Sequence, residues 1–300
     1  MIRPLILTTL VTGLIGCAGA PTLPASDAPQ ARVSAPFYPQ TLHHCGPAAL
    51  ASVLGWSGAA ATPEQLAEWV YLPGREGALQ AELLAEGRRQ GRLTYLLEPS
   101  LESLVAELQA GHPVLVLQNL AFGWAPRWHY AVAVGYDLDA GIMELHSGTR
   151  QRYRSSLDTF YRTWKRGGRW AVVVLPPEQL PATAESQRYL RAVIDLEVVG
   201  QTAAAKTGYR TALQRWSDST PARVGLASLL YCEGDRADAE QLLREALATE
   251  PTSVPVLNNL AHLLNERGEK AEAERLARRA LREPGPWRDD VRATLEEILR

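Results

Sequence analysis

The spacing of apolar positions changes along the chain, and in the first part of the chain this spacing predicts helices. Residues 48–54 are apolar on nearly every side of a helix, which is typical of a central helix packed on several sides. Apolar residues then recur at helical spacing over 62–90. Thr62-Pro-Glu-Gln65 has the form of a capping box, and Ser100 that of an N-cap for a helix over 101–110. The first part of the folded region is therefore predicted to be helical.

Strand-like runs follow these helices. A short run covers residues 93–97, and four others predict the main antiparallel sheet. Those four runs lie at 114–117, 129–136, 142–145 and 170–175. Helices first and a sheet second predict an α+β domain, which we place at residues 36–177. Pro176, Pro177 and Pro181 mark the boundary beyond it.

Beyond this boundary, the same residue types recur at a fixed period. The positions that recur every 34 residues are Gly200, Gly234 and Gly268; Ala205, Ala239 and Ala273; Ala212, Ala246 and Ala280; and Leu213, Leu247 and Leu281. This period is the signature of tetratricopeptide repeats, in which each unit is two antiparallel helices and the glycine ends the first. We therefore predict an all-α solenoid over residues 185–300, with three repeats and a C-terminal capping helix.

The first 17 residues resemble a bacterial lipoprotein signal peptide. Arg3 precedes an apolar run that ends in Leu-Ile-Gly-Cys17 and is too short for a permanent membrane span. The resemblance implies a periplasmic lipoprotein acylated at Cys17, and because Ala18 is not aspartate it implies sorting to the outer membrane. The alternative is a plain secretory signal with an incidental Cys17. Residues 18–35, rich in Pro, Ala and Ser, are predicted to be a flexible tether.

Candidate chemistry centres on Cys45, at the foot of the apolar helix in YPQTLHHCGPAALASVLGW. Gly46 and Pro47 predict a tight turn and then a proline in the first helical turn. A helix N-terminus stabilises a thiolate, so we expect a pKa below the ordinary value of about 8.5. The alternative is a small buried hydrophobic residue. Besides Cys17 and Cys45 the chain has only Cys232, which we expect to be a packed thiol in a helix.

A thiolate nucleophile needs a proton acceptor and a donor for the developing oxyanion. His129 is the candidate base, because it opens the apolar run HYAVAVGY and should stand firmly at the end of a strand. Gln40 lies five residues before the cysteine (45 − 40 = 5) and is the candidate oxyanion donor. The three residues together favour nucleophilic catalysis over packing.

Three sequence blocks resemble the papain-like peptidases that trim double-glycine leaders from bacteriocin precursors, over roughly residues 36–176. The blocks are Gln…Cys-Gly-Pro-Ala-Ala-Leu, Gly-His-Pro-Val-Leu-Val-Leu and His-Tyr-Ala-Val-Ala-Val-Gly-Tyr-Asp. The resemblance implies a papain-like fold with Cys45 as nucleophile, His129 as general base and Gln40 as oxyanion donor, and it implies no metal or cofactor. In this chain Gln40 is one position closer to the cysteine than in that family, and His44 stands where an aspartate often precedes it.

The same family orients its histidine with an aspartate on the next strand. A hairpin loop at 137–141 places residues 145–149 opposite His129. This window reads Leu-His-Ser-Gly-Thr and contains no carboxylate. His146, Ser147 or a main-chain carbonyl are therefore the candidates for the third catalytic group.

Residues 119–128 lead into the histidine and contain Phe122, Trp124 and Trp128. These aromatic side chains either form a wall of a substrate groove or cover the core, and the sequence does not choose between the two.

Composition narrows the classes of partner. With 300 residues, 46% hydrophobic and 21% charged, the chain has the content of about two ordinary globular domains. A net charge of −2 without a long basic run argues against nucleic acid. Arg150, Arg152 and Arg154 alternate along one strand and predict a solvated face rather than an anion site.

Together these features predict a lipid-anchored periplasmic cysteine peptidase that acts on a peptide or protein substrate. The repeats are expected to recruit that substrate or a partner protein on their groove. One alternative is a peptidoglycan-peptide hydrolase, a class that pairs cysteine with histidine and sometimes with a second histidine, here His146. The other alternative is a non-catalytic periplasmic adaptor with a degenerate peptidase domain.

Overall fold

The computed structural model describes residues 28–39 and 44–300. The strands are β1 (Gln30–Arg32), β2 (Leu93–Leu96), β3 (Val114–Asn119), β4 (Trp128–Asp137), β5 (Ile142–Ser147), β6 (Arg150–Ser156) and β7 (Ala171–Leu175). The helices of the first domain are α1 (Cys45–Trp56), α2 (Pro63–Val70), α3 (Gln80–Arg89), α4 (Leu101–Gln109) and α5 (Leu157–Arg166), with a 3-10 turn at Pro73–Arg75. Those beyond it are α6 (Ser186–Val198), α7 (Thr202–Arg215), α8 (Thr220–Cys232), α9 (Arg236–Thr249), α10 (Val254–Glu266), α11 (Lys270–Ala280) and α12 (Arg288–Ile298). In the described part of the chain, every helix is too short or too polar to cross a membrane.

The strands form one sheet in the order β2-β7-β3-β4-β5-β6, with antiparallel pairing throughout. The four predicted main strands are present, and the short predicted strand joins the sheet at one edge as β2. β1 pairs with residues Gly135–Asp137 of β4, beyond the end of β3. Gly135 allows this approach, because a Cβ at that position would lie 2.7 Å from the Ala31 carbonyl oxygen.

Helices cover both faces of the sheet and confirm the α+β fold. α1, α2 and α3 pack on one face, where Leu115, Val132 and Val172 are buried. α4 and α5 pack on the other, against Val116 and Val173. Because β3 and β7 are buried on both faces, their sequences are continuous apolar runs rather than alternating ones.

Two predicted helix starts are confirmed. The Thr62 hydroxyl accepts the Gln65 N–H, and the Gln65 side chain accepts the Thr62 N–H, which is the reciprocal pattern of a capping box. The Ser100 hydroxyl accepts the Ser103 N–H at the start of α4. Local sequence signals therefore fix where these helices begin.

The end of the expected tether is part of the fold. β1 lies within residues 18–35, and Val33 is buried and donates its N–H to the Val134 carbonyl. Residues 28–35 therefore belong to the first domain. Composition could not reveal this, because the strand is short and its pairing partner lies about a hundred residues away in sequence.

α5 is a helix that the sequence interpretation did not include. Ser156 caps its first turn, and Leu157, Phe160 and Trp164 form its buried face. Their spacing is helical, but the three buried residues are interrupted by exposed polar ones, so the pattern is short.

α6 to α11 form three antiparallel pairs, and α12 packs on the last pair. Gly200, Gly234 and Gly268 follow the first helix of each pair with φ of 78°, 89° and 85°, the left-handed conformation that ends a helix. The recurring alanines are buried between helices. The period of the sequence is thus confirmed as a run of paired helices.

Cys232 is the last residue of α8 and is exposed. The expectation of a packed thiol is therefore wrong. The buried face of α8 includes Leu230, and a residue two positions later points about 200° away around the helix.

A buried carboxylate joins the two domains. Glu107 of α4 is fully buried and accepts hydrogen bonds from the Ala182 N–H, from the Thr183 N–H and hydroxyl, and from His112 Nδ1 at 2.7 Å. The Tyr95 hydroxyl donates to the Thr183 carbonyl. These partners replace the water that a buried carboxylate loses, so they fix the linker before α6 to the first domain.

Helix α3 also contacts the repeats. Arg88 pairs with Asp195 of α6 at 2.6 Å. The Gln201 side chain donates to the Arg89 carbonyl at 2.8 Å. The two domains therefore meet through these polar contacts and through a hydrophobic cluster that runs from the sheet into α6, not through the linker alone.

We expect Glu107→Ala to lower the free energy of unfolding by about 3 kcal/mol, because it leaves several buried donors unpaired. Protease cleavage within residues 176–185 should increase as the linker detaches. Urea unfolding and limited proteolysis with mass spectrometry measure both effects. Glu102→Ala, at an exposed position of the same helix, is the control, and equal behaviour of the two variants would contradict the role of Glu107.

Candidate active site

Cys45 is the first residue of α1, at the end of the helix that the sheet buries. Gly46 is the second helical residue, so the predicted tight turn is wrong. A Cβ on Gly46 would lie 2.7 Å from the Ala78 Cβ, so the glycine is required by the close approach of α1 to the segment before α3. Pro47 lies within the first helical turn, where its missing N–H costs no hydrogen bond.

The Cys45 thiol lies beside strand β4. Burial raises its pKa, and hydrogen bonds from the backbone of Tyr130, Gly46 and Cys45 itself offset only part of that rise. The predicted lowering of the pKa by the helix N-terminus is therefore wrong. The removal of the thiol from water outweighs the backbone N–H groups, and the resting site holds a protonated thiol at neutral pH.

His129 is the second residue of β4 and directly precedes Tyr130, whose backbone reaches the Cys45 thiol. The fold thus brings two residues 84 positions apart (129 − 45 = 84) to the same end of the sheet. His129 Nε2 lies 2.9 Å from the Ser147 hydroxyl oxygen. With Nε2 engaged, Nδ1 is the ring nitrogen left for another partner.

A bulge in β4 at 133–135 sets which side chain reaches this histidine. Beyond the bulge Val132 pairs with His146. The next residue, Ser147, therefore stands on the opposite face of the sheet, which is the face of His129. Ser147 is the member of the predicted window that contacts the imidazole.

His146 is held elsewhere. Its Nε2 lies 3.2 Å from the Ala35 carbonyl oxygen, and its Nδ1 accepts the Arg152 N–H at 3.2 Å. Both ring nitrogens are engaged, and the ring is buried. His146 therefore ties the N-terminal segment to the β5-β6 hairpin and is not the group that orients His129.

A cavity of about 1000 Å³ opens over this pair, and both Cys45 and His129 line it. Residues 75–80, ahead of α3, form one wall. Residues 127–130 and the hairpin residues 148–149 form the wall on the sheet side. The volume is in the range of sites that enclose a small ligand or a short peptide segment.

Burial lowers the pKa of His129 to about 4, and the positive charges of Arg127 and Arg150 add to the effect. The imidazole is therefore neutral above about pH 5, which is the form that accepts a proton. The resting site is an uncharged thiol beside an uncharged imidazole.

Three aromatic side chains lie in the loop before β4 and at the first position of that strand. Phe122 and Trp124 stack nearly parallel, with ring centroids 5.7 Å apart and an interplanar angle of 7°. They are 66% and 85% exposed, and Trp128 lines the cavity. None of the three covers the core. Trp128 and Phe122 each line a cavity, so the structure supports the groove for these two, whereas Trp124 lines neither cavity.

Two predicted site residues lie outside the described part of the chain. Gln40 falls within residues 40–43, and Cys17 falls within residues 1–27. Their roles as oxyanion donor and lipidation site stay predictions. Within the described residues, no group of three or more His, Cys, Asp or Glu side chains is arranged to hold a metal ion.

Arg75 and Arg127 also line the cavity, although the sequence pattern did not point to them. The signal for Arg127 is its place two residues before His129. Arg75 belongs to the turn Pro-Gly-Arg-Glu-Gly, which nears the site only when the helical layer packs on the sheet.

Known protein families match the chain in two segments. Residues 33–172 match the Peptidase_C39 like family. Residues 230–295 match the tetratricopeptide repeat. No curated protein matches the chain.

Several solved structures resemble parts of the chain. A putative C39-like peptidase from Bacillus anthracis is 16% identical, covers 49% of this chain and 97% of its own, and has a TM-score of 0.41. The double glycine motif protease from an AMS/PCAT transporter, solved with the leader peptide, is 18% identical over 48% of this chain and 92% of its own, with a TM-score of 0.38. Pseudomonas aeruginosa pilF is 27% identical over 38% of this chain, with a TM-score of 0.36, and the match spans 51% of that structure's chain.

We expect alkylation of Cys45 by iodoacetamide to be slow at pH 6 and to accelerate with increasing pH. The raised pKa of the thiol means that the thiolate fraction grows only in alkaline solution, and His129 contributes no transition between pH 6 and 8 because it is already neutral. Mass spectrometry of the labelled peptide measures the rate. A Cys232→Ser background removes the exposed thiol, and fast labelling that is independent of pH would contradict the neutral pair.

Proposed function

We propose that this chain, which carries a Peptidase_C39-like domain followed by tetratricopeptide repeats, is a cysteine peptidase that cleaves peptide bonds with Cys45 and His129. The observation that carries the proposal is the shared cavity. The thiol and the imidazole line it together, and Ser147 holds the ring nitrogen on the far side. This is the arrangement of nucleophile, base and orienting group that thiol catalysis needs.

In the proposed reaction the Cys45 sulfur attacks the scissile carbonyl carbon while Nδ1 of His129 takes the thiol proton. The C–S bond forms, and the carbonyl π electrons move to oxygen to give the tetrahedral oxyanion. The C–N bond then breaks, and the imidazolium returns the proton to the leaving amine. Water hydrolyses the acyl-enzyme by the same proton route. Gln40 is proposed to donate a hydrogen bond to the oxyanion.

Ser147 is proposed as the positioning residue of His129. A hydroxyl that accepts the Nε2 proton fixes the tautomer with its lone pair on Nδ1. Unlike an aspartate, it supplies no negative charge to an imidazolium. In the proposed reaction Ser147 therefore orients the imidazolium without a carboxylate charge to stabilise it.

We expect Cys45→Ala to abolish hydrolysis and His129→Ala to reduce kcat by about 10²- to 10⁴-fold, the usual contribution of a positioned general base. Ser147→Ala should reduce kcat by up to about tenfold, the worth of one hydrogen bond, and Ser147→Thr should restore part of it by keeping the hydroxyl. Cleavage of peptides with glycine or another small residue before the scissile bond, followed by mass spectrometry, measures these changes.

The same assay separates the alternatives. Hydrolysis of muropeptides in preference to these peptides would favour the peptidoglycan-peptide hydrolase, although the engagement of both His146 nitrogens leaves that second histidine without the role it would need. Turnover in neither arm would favour the adaptor. The uncharged thiol–imidazole pair is the observation that supports the adaptor as the second candidate.

The repeats are proposed to recruit the substrate or a partner protein. Helical-pair arrays of this kind present extended surfaces on which peptides and proteins bind. The variant Cys45→Ala would retain substrate without cutting it. Crosslinking in the native cell followed by mass spectrometry therefore identifies bound proteins, with Cys45→Ala compared against a variant that lacks residues 185–300.

The N-terminal segment is proposed to place the protein in the periplasm, lipid-anchored and held at the outer membrane. We expect a palmitate analogue to label the full-length protein and Cys17→Ala to abolish the labelling, because only a thiol at that position accepts the lipid. Fractionation should then move the variant from the membrane pellet to the soluble fraction. Labelling retained in Cys17→Ala would contradict the anchor.

A further inference from the structure

Arginine side chains stand on both walls of the active-site cavity. Arg75 lines it from the 3-10 turn of the helical layer, and Arg127 from the loop that enters β4. Both side chains are exposed. Within residues 28–39 and 44–300, neither guanidinium forms an ion pair. Two cations without an ion pair among the described residues thus line the same cavity.

A second, smaller cavity continues from the first. It has a volume of about 310 Å³ and shares Leu120 and Arg127 with the larger one. Arg166 also lines it, and this side chain donates to the Asn119 carbonyl at 3.1 and 3.2 Å. Those hydrogen bonds orient the Arg166 guanidinium. The groove thus contains Arg166 in a fixed orientation and Arg127, which lines both cavities.

The local charge differs from that of the whole protein. Among the described residues that line the two cavities, Glu76 is the one acid beside three arginines. The whole chain has 33 acidic and 31 basic residues. The excess of positive charge therefore comes from the placement of these arginines, and a cavity with a net positive charge concentrates negative ligands.

Arg127 is also close to the reacting groups along the backbone. It lies two positions before His129, a span of about 7 Å in extended chain. Its charge reaches the imidazole, since Arg127 and Arg150 both contribute to the low pKa of His129. A negative group bound to Arg127 would therefore lie within one or two residues of the scissile bond.

From this geometry we propose that the cleft selects peptides with a carboxylate one or two residues from the scissile bond, and that Arg127 is the specificity-determining residue that binds it. The proposal rests on the peptidase function above and names its substrate class. Guanidinium groups bind carboxylates through paired N–H donors. Arg75 and Arg166 flank Arg127 on the two sides of the groove and assist it.

Binding of this carboxylate also has a consequence for the rate. The groups that face His129 are the Cys45 thiol, the Ser147 hydroxyl and the cations Arg127 and Arg150. A bound carboxylate offsets the field of these cations and makes the imidazole a stronger proton acceptor. A substrate with the carboxylate should therefore have a higher kcat and a lower KM than its neutral counterpart. If Arg127 only stabilised the fold, neither kcat nor KM would depend on the charge of the substrate.

The test uses peptide pairs that differ only in Glu against Gln at single positions around the cleavage site. A second pair differs only in a free C-terminal carboxylate against an amide. We expect the preferred acid to exceed its neutral counterpart by about 10- to 100-fold in kcat/KM, the worth of a charge-assisted hydrogen bond. The two pairs separate a side-chain carboxylate from a terminal one. The preference should shrink at high salt.

Arg127→Gln should bring this ratio close to one, and Arg127→Glu should invert it in favour of lysine-containing peptides. Arg162→Gln is the matched control, because Arg162 pairs with Asp158 on α5 and lines neither cavity, and it should keep the full ratio. A ratio near one in the unmodified protein, or a ratio retained in Arg127→Gln, would overturn the proposal while leaving the peptidase function intact.

A binding measurement keeps the inference testable if the protein cuts no peptide. Fluorescence anisotropy with the Cys45→Ala protein should show tighter binding of the Glu peptide than of the Gln peptide, by about tenfold or more, and Cys45→Ala with Arg127→Gln should lose the difference. Equal binding of the two peptides overturns the proposal. If the protein hydrolyses no peptide but still binds the Glu peptide more tightly than the Gln peptide, the result contradicts the peptidase function and leaves the carboxylate preference intact.

Discussion

The contact between the first turn of α1 and strand β4 is the constraint on which the site depends. Gly46 lets the helix approach the segment before α3 without a clash at Ala78, and the thiol of Cys45 then lies against the Tyr130 backbone. The next residue back along that strand is His129. One packing contact between a helix end and a strand therefore places the thiol in the same cavity as His129 and also removes it from water.

That same burial determines the electrostatics of the pair. It raises the pKa of the Cys45 thiol and lowers that of the His129 imidazole, so neither group is charged at neutral pH. A helix N-terminus favours a thiolate, but in this fold its effect is smaller than that of desolvation. Proton transfer from sulfur to nitrogen creates two charges in a partly dry site, and the arginines around the imidazole oppose the positive one. In the proposed reaction the charge of the bound peptide would therefore determine how readily the thiol transfers its proton to the imidazole.

Much of the fold could be predicted from the sequence, because the sequence signals for its elements are local or periodic. The capping box at Thr62, the N-cap at Ser100 and the 34-residue period each depend on neighbours in the chain, and each predicts an element that the structure contains. β1 and the pairing of Ser147 with His129 depend on strand register, which a bulge near Gly135 sets. The pKa directions depend on burial by residues far apart in sequence. The sequence thus predicted the pair Cys45 and His129, which line one cavity in the structure. It left the partner of His129 open, because tertiary structure determines that contact.

The carboxylate of Glu107 has a consequence for how the repeats and the cleft act together. It holds the chain at Ala182 and Thr183 immediately before α6, and α3 adds contacts to α6 and α7. With a loose linker, the effective concentration of a captured ligand at the cleft would follow from linker length and stiffness. Here the repeat array is docked on the first domain. The effective concentration therefore depends on the fixed distance between the array and the cleft. For the proposed recruitment of a substrate by the repeats, only a ligand of matching length would engage the array and Cys45 at once, and the distance between them would act as a molecular ruler.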